Sequence, residues 1–106
     1  MKLLIVGPRG QDKAAFSQGG KLLCGAQDKI KDMMKAGLSH GEMLEALMEY
    51  DEVTCDEVGC GVVPIDPFER LWREEVGRLC CDMAEDAETV VRVVCGIGQP
   101  LKGGIK

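Results

Sequence analysis

The residues best spaced for chemistry lie near the start of the chain, in Gly7-Pro8-Arg9-Gly10-Gln11-Asp12-Lys13-Ala14. A working phosphate loop reads G-x-x-x-x-G-K-[ST]: backbone N–H groups cradle the phosphates, the lysine reaches their outer oxygens, and the hydroxyl binds Mg²⁺. Gly7 and Lys13 stand in that register, Gly10 lies between them, and Arg9 adds positive charge. Gly7, Arg9, Gly10 and Lys13 are therefore the candidate nucleotide- or phosphate-binding residues. Two positions depart from the pattern. Asp12 replaces the second glycine, and Ala14 replaces the hydroxyl. A carboxylate ~4 Å from a phosphate charge repels it by on the order of 4 kcal/mol at an effective dielectric of ~20, which removes most micromolar binding. Ala14 leaves Mg²⁺ without its loop ligand. What these residues retain is a weak anion site at the start of the following helix.

A second group gathers farther along. Val53 to Asp56 reads as a second strand, and Asp56 and Glu57 lie at its carboxyl end, where an open α/β sheet forms its ligand crevice. They are either an altered site or a solvated strand end. Lys13 and Glu57 are the candidates for catalysis. Six cysteines include Cys55, Cys60 and the adjacent Cys80 and Cys81, with no C-x-x-C spacing. If those four converged, a thiolate-rich metal or redox site would result. Adjacent helical residues point about 100° apart, so Cys80 and Cys81 do not readily share one tetrahedral ion. Buried structural thiols are the favoured reading.

The elements that must position these groups follow from pattern. Lys2 to Val6 reads as a buried strand stopped by Gly7-Pro8. A short helical turn follows from Asp12 to about Gln18, and Gly19-Gly20 breaks it. Ile30, Met33 and Met34 mark one face of a helix from about Ala26 to Lys35. Ser39-His40-Gly41-Glu42 is a capping box that opens another, with Met43, Leu44, Leu47 and Met48 as its apolar stripe. Asp66-Pro67 begins the longest helix, as N-cap and N1, and it reaches about Asp86. Thr89 to Cys95 is a β-branched third strand, and Gln99 to Lys106 reads as a flexible, frayed tail.

Strands alternating with helices predict a single α/β domain over residues 1–106 with right-handed crossovers. The expectation is a small three-layer domain with a three-stranded parallel sheet in the order 2-1-3, flanked by helices. Its outer strands would both be open edges, which favours self-association into a homo-oligomer.

Two blocks resemble a known family. One is the strand, glycine loop and lysine of residues 4–16. The other joins Thr54-Cys55-Asp56-Glu57-Val58-Gly59-Cys60-Gly61-Val62-Val63-Pro64, Arg70-Leu71-Trp72-Arg73-Glu74-Glu75-Val76-Gly77-Arg78, and Val93-Val94-Cys95-Gly96-Ile97-Gly98. Together they are similar to the adenosylcobinamide kinase/adenosylcobinamide-phosphate guanylyltransferase family of cobalamin biosynthesis. Its signature has an Asn-Glu-Val-Gly strand end, a Gly-x-Gly-Ile-Val-Pro loop and a Phe-Arg-Asp-x-x-Gly-Arg helix. The resemblance covers roughly residues 1–18 and 53–98 and finds no counterpart for Gly19 to Tyr50. It implies a RecA-like P-loop fold, ATP or GTP with magnesium as cofactors, and a nucleotide or corrinoid ligand. Glu57, Gly59, Gly61 and Pro64 fall on the family's loop, and Asp56 stands at its asparagine. Cys80-Cys81 stand at its Asn-Gln. Arg70, Arg73 and Arg78 match family arginines, although arginines on an acid-rich helix often only pair along it. His40, the sole histidine, invites comparison with the family's guanylylated residue. Its neighbours differ, and we read it as a solvent-facing residue of a first helical turn. Trp72 reads as a packing or interface anchor.

Bulk properties narrow the classes. A formal net charge of -5 provides no basic stripe, so nucleic acid is not an expected partner. The longest apolar run, Leu3 to Val6, is too short to span a bilayer, and no secretory pattern is visible, so a cytoplasmic location with reduced thiols is expected. Three functions compete: an impaired homologue that still binds a nucleotide or phosphate, a self-associating structural or regulatory subunit, and an active transferase. Asp12 and Ala14 argue against the last.

Overall fold

A computed structural model of the chain describes residues 1–58 and 66–103. Each element forms where its sequence punctuation directs. Strand β1, Leu3–Gly7, is aliphatic and buried. After it the chain makes one 3-10 turn, Lys13–Phe16, and a two-residue strand β2, Leu22–Leu23. Helix α1 spans Ala26–Lys35 and helix α2 spans His40–Leu47. The Ser39 hydroxyl accepts from the Glu42 N–H, and the Glu42 side chain accepts from the Ser39 N–H, closing the capping box. Strand β3 is Glu52–Asp56. Helix α3 spans Pro67–Asp86, with the Asp66 carboxylate accepting from the Phe68 N–H at 3.0 Å. Strand β4, Thr89–Val94, and strand β5, Ile97–Lys102, follow.

Among the described residues the sheet has five strands in the order β2-β3-β1-β4-β5. The three expected strands occupy its centre in the expected order, β3-β1-β4, and pair in parallel. The expected three-stranded, wholly parallel sheet is corrected at both sides. β2 extends it in parallel beside β3, and β5 folds back antiparallel on β4. Neither β3 nor β4 is an edge. Residues 99–102, read from sequence as tail, belong to β5.

A tight hairpin makes β5 possible. Cys95 and Gly96 have φ of 53° and 73°, the paired left-handed geometry of a two-residue turn whose twist matches the flanking strands. Glycine adopts it freely; an L side chain there costs roughly 1–2 kcal/mol. Cys95→Asn is accordingly expected to raise stability by about 0.5–1 kcal/mol in urea unfolding, since asparagine tolerates this region best among the side-chain-bearing residues.

The layering also differs from expectation. Leu4, Val53, Cys55 and Val90 point to one face and share a core with Ile30, Met33, Met43, Leu47, Trp72, Val76, Leu79 and Met83 of the three helices. Leu3, Ile5, Val91 and Val93 point to the other, where Phe16 of the 3-10 turn packs on them. Chain direction explains the asymmetry. The steps β2 to β3 and β3 to β4 run the same way across the sheet, so right-handed crossovers place α1, α2 and α3 on one face. The step β1 to β2 runs the opposite way and crosses the opposite face. It carries only the 3-10 turn, so among the described residues no helical third layer is built.

Candidate functional site

The glycine loop leaves the end of β1 in the centre of the sheet. Gly7 has φ of 156°, and a Cβ built there would lie 2.3 Å from the Val93 carbonyl oxygen. Its lack of a side chain therefore serves close packing against β4. Gly10 has φ of 88° with open space around it, and Arg9 is exposed at the rim. Asp12 is exposed where the 3-10 turn begins.

Lys13 is only 5% exposed. Its Nζ donates to the Pro8 carbonyl at 2.9 Å and to Asp56 Oδ1 at 2.7 Å. Asp56 lies at the end of β3, directly opposite Gly7 in the parallel register. Gln27 in the first turn of α1 fixes Asp56 from the other side. Its Nε2 donates to Asp56 Oδ2 at 3.1 Å, and its Oε1 accepts from the Asp56 N–H at 3.0 Å. Gln27 is held in turn by Trp72, whose indole N–H donates to its carbonyl at 2.8 Å. The result is a continuous chain, Trp72–Gln27–Asp56–Lys13, from α3 to the loop. Asp56 is thus engaged on both sides and is not a bare solvated strand end.

Glu57 forms a second, parallel clamp. Arg92 of β4 donates to its carboxylate twice, from Nε at 2.6 Å and Nη2 at 2.9 Å. The Glu57 N–H donates to the Gly7 carbonyl at 2.9 Å, tying the two strand ends together. The Arg92 hydrogen bonds hold the Glu57 carboxyl below its usual range, so at neutral pH it is ionised and a poor proton acceptor.

Beside these pairs lies a cavity of about 560 Å³ between α1, α3 and the ends of β1 and β3. Arg9, Lys31 and Arg73 face Asp28, Asp56, Glu57 and Glu69 around it. Lys31 is shared between Glu69 Oε1, at 2.9 Å, and the face of Trp72, 4.1 Å from a ring centroid. Trp72 is 9% exposed and belongs to the helix-side core. The packing role expected of it holds, and it also carries a cavity wall.

A family model described as cobinamide kinase / cobinamide phosphate guanyltransferase matches residues 21–101. The chain belongs to this family. The matched span takes in residues 21–50, for which the sequence motifs offered no counterpart, and that expectation is corrected. The span begins after the glycine loop, so the family assignment rests on the rest of the chain. A search of curated proteins returned no match. Gly59, Gly61 and Pro64 of the family loop, and Cys60, lie outside the described residues.

A magnesium-bound triphosphate does not fit the arrangement around Lys13. The lysine is committed to Asp56 and Pro8, Ala14 has no hydroxyl, and the loop leads into a single 3-10 turn rather than a helix whose dipole would favour an anion. The helix-terminus anion site expected from sequence lacks its helix.

The remaining candidates separate. Cys55 and Cys80 come together, with Sγ atoms 3.5 Å apart, while Cys81 is exposed. Among the described residues, no group of three or more His, Cys, Asp and Glu side chains could hold a metal ion. None of the described helices is long and apolar enough to cross a membrane.

His40 is not the solvent-facing residue expected. It is 30% exposed and bridges α2 to α3, with Nδ1 on Glu75 and Nε2 2.6 Å from Asp82 Oδ2. These hydrogen bonds raise its pKa above the usual value. A raised folded-state pKa contributes stability that is fully present below the unfolded value of 6.5 and is lost as pH climbs through the folded value. His40→Gln should therefore cost up to about 1 kcal/mol at pH 5.5 and nearly nothing at pH 9, measured by urea unfolding of both proteins.

Proposed function

We propose that this chain is a member of the cobinamide kinase/guanylyltransferase family in which polyphosphate capture, and with it phosphoryl and guanylyl transfer, is impaired. The observation that carries the reading is the Lys13–Asp56 pair. A lysine serves a phosphate loop through uncompensated positive charge at the phosphate oxygens. Here that charge is cancelled at 2.7 Å by a carboxylate fixed on its far side by Gln27. The neighbouring cavity adds no anion preference, since its basic groups face a larger number of carboxylates. Its alternating charge suits a ligand carrying both signs better than a triphosphate. Weak binding of a nucleotide, phosphate or corrinoid remains the function proposed for this end of the sheet.

Calorimetry and thermal melting with GTP and with ATP, each with and without Mg²⁺, test the reading. The expected result is dissociation constants no tighter than about 100 μM and melting shifts under about 2 °C, with no magnesium dependence. Micromolar, magnesium-dependent binding, or product formation from cobinamide, would return the chain to the active transferases.

A second reading has its own observation. β5 is an edge strand, and Ile97 and Leu101 on it are 70% and 56% exposed. Such an edge can pair with a second copy in a self-associating structural or regulatory subunit. Pro100 and Lys102 interrupt the edge, and for that reason this is the lesser reading. Sedimentation of the wild type against Ile97→Lys/Leu101→Lys distinguishes them, because only self-association through β5 is lost on substitution.

A further inference from the structure

Behind the Asp56 carboxylate, two thiols from different elements meet. Cys55 of β3 is 1% exposed, and its Sγ lies 3.5 Å from that of Cys80 on α3, 25 residues along the chain. Cys80 also lines a separate cavity of about 280 Å³, walled by Val6, Val58, Val76 and Gly77. One sulfur is thus reachable from a small apolar cavity, and the other waits directly behind it. The remaining described cysteines, Cys24, Cys81 and Cys95, are exposed and take no part in the pair.

We propose that Cys55 and Cys80 form a hydroperoxide-reactive dithiol, with Cys80 as the attacking sulfur and Cys55 as the resolving one. The Cys80 sulfur attacks the terminal oxygen of a hydroperoxide, and the O–O bond breaks. The hydroperoxide leaves as an alcohol, or as water from H₂O₂, taking the thiol proton, and Cys80 becomes a sulfenic acid. The Cys55 sulfur then attacks the Cys80 sulfur and expels its oxygen as water, which carries away the Cys55 proton. Two thiols are oxidised by two electrons in all, and one hydroperoxide is reduced to an alcohol and a water.

The local chemistry fits this order. The Sγ–Sγ contact with Cys55 holds the Cys80 thiol below its usual pKa, although burial and, less, Glu57 oppose the shift. The same contact, together with burial, pushes the Cys55 thiol up, so Cys55 does not compete for the first step. Once Cys80 is a neutral sulfenic acid, the negative charge that holds the Cys55 proton is gone. The acids flanking the cavity, Asp56 and Glu57, are already paired with Lys13 and Arg92.

The test uses the full chain, reduced and freed of reductant, with Cys24, Cys81 and Cys95 replaced by serine. Equimolar H₂O₂ and tert-butyl hydroperoxide are applied in separate arms and followed by intact mass and peptide mapping. The expected result is a loss of about 2 Da and a peptide linking Cys55 to Cys80, formed about tenfold faster than exposed Cys24 is oxidised in the wild type. The faster arm tells whether an alkyl hydroperoxide or H₂O₂ is the oxidant. In Cys55→Ala, dimedone should trap Cys80 as its sulfenic acid. A linkage of Cys80 to Cys60, or a Cys80 left reduced in both arms, overturns the proposal, and the wild-type peptide map decides the same point without any variant.

Discussion

Asp56→Asn is expected to raise the affinity of the loop for inorganic tripolyphosphate and GTP by on the order of 10- to 100-fold, read by calorimetry. The substitution keeps side-chain shape and an oxygen near the Lys13 ammonium while removing the charge that cancels it. It also installs the residue type that the resembled family signature carries at this strand end. The unliganded protein should lose stability at the same time. Lys13 is 5% exposed, and a buried ammonium facing only neutral oxygens costs about 1–3 kcal/mol relative to a paired one. Saturating polyphosphate should restore much of that loss, because a ligand that binds only the folded state stabilises it by mass action. Falling stability with no gain in affinity would mean that Asp56 supports the fold but does not block the loop.

Gly7→Ala should be far more damaging, with a loss of at least about 3 kcal/mol and a melting temperature lower by more than about 10 °C. The added carbon would lie 2.3 Å from the Val93 carbonyl oxygen, where ordinary contacts are a full ångström longer. Both partners are backbone in adjoining central strands. Gly7 also sits opposite Asp56 in the β3 register and accepts from the Glu57 N–H. Moving it would break both. Gly10→Ala is the control: its φ of 88° makes alanine strained, but nothing lies within 4 Å of the new carbon, and about 1 kcal/mol is the expected loss. Two glycines of one loop would then separate cleanly. If Gly7→Ala melts with the wild type, the close approach of β1 and β4 at this point is wrong.

Much of the scaffold could be read from local signals because those signals act locally. The Ser39 capping box, the Asp66-Pro67 helix start and the β-branched run from Thr89 each specify structure within a few residues, and the folded chain has all three. β2 escaped because two leucines between Lys21 and Cys24 show no period. β5 escaped because Gly98 and Pro100 interrupt it and its side chains are mostly exposed, leaving no alternation to detect. The one clue was Cys95-Gly96, a two-residue hairpin signal with an unusual first member. Within the site, Lys13 and Asp56 were each singled out, but their pairing spans 43 residues and depends on the β1–β3 register. Gln27 gave no signal, since one glutamine in an amphipathic helix looks like any solvated polar residue. The cysteines were grouped by type, and only the packing of α3 on β3 selects Cys55 and Cys80 from that group.

The helix-free side of the sheet has a consequence for how this sequence can change. Between Arg9 and Gly19 the chain touches the interior mainly through Lys13 and Phe16, while Ser17 and Gln18 grip the buried Glu52 carboxylate. Arg9, Gly10, Asp12, Ala14 and Ala15 face outward. Substitutions at those five places meet almost no resistance from packing, so this stretch can drift while the helical side stays intact. A protein built this way can rewrite its ligand chemistry first and keep its architecture throughout.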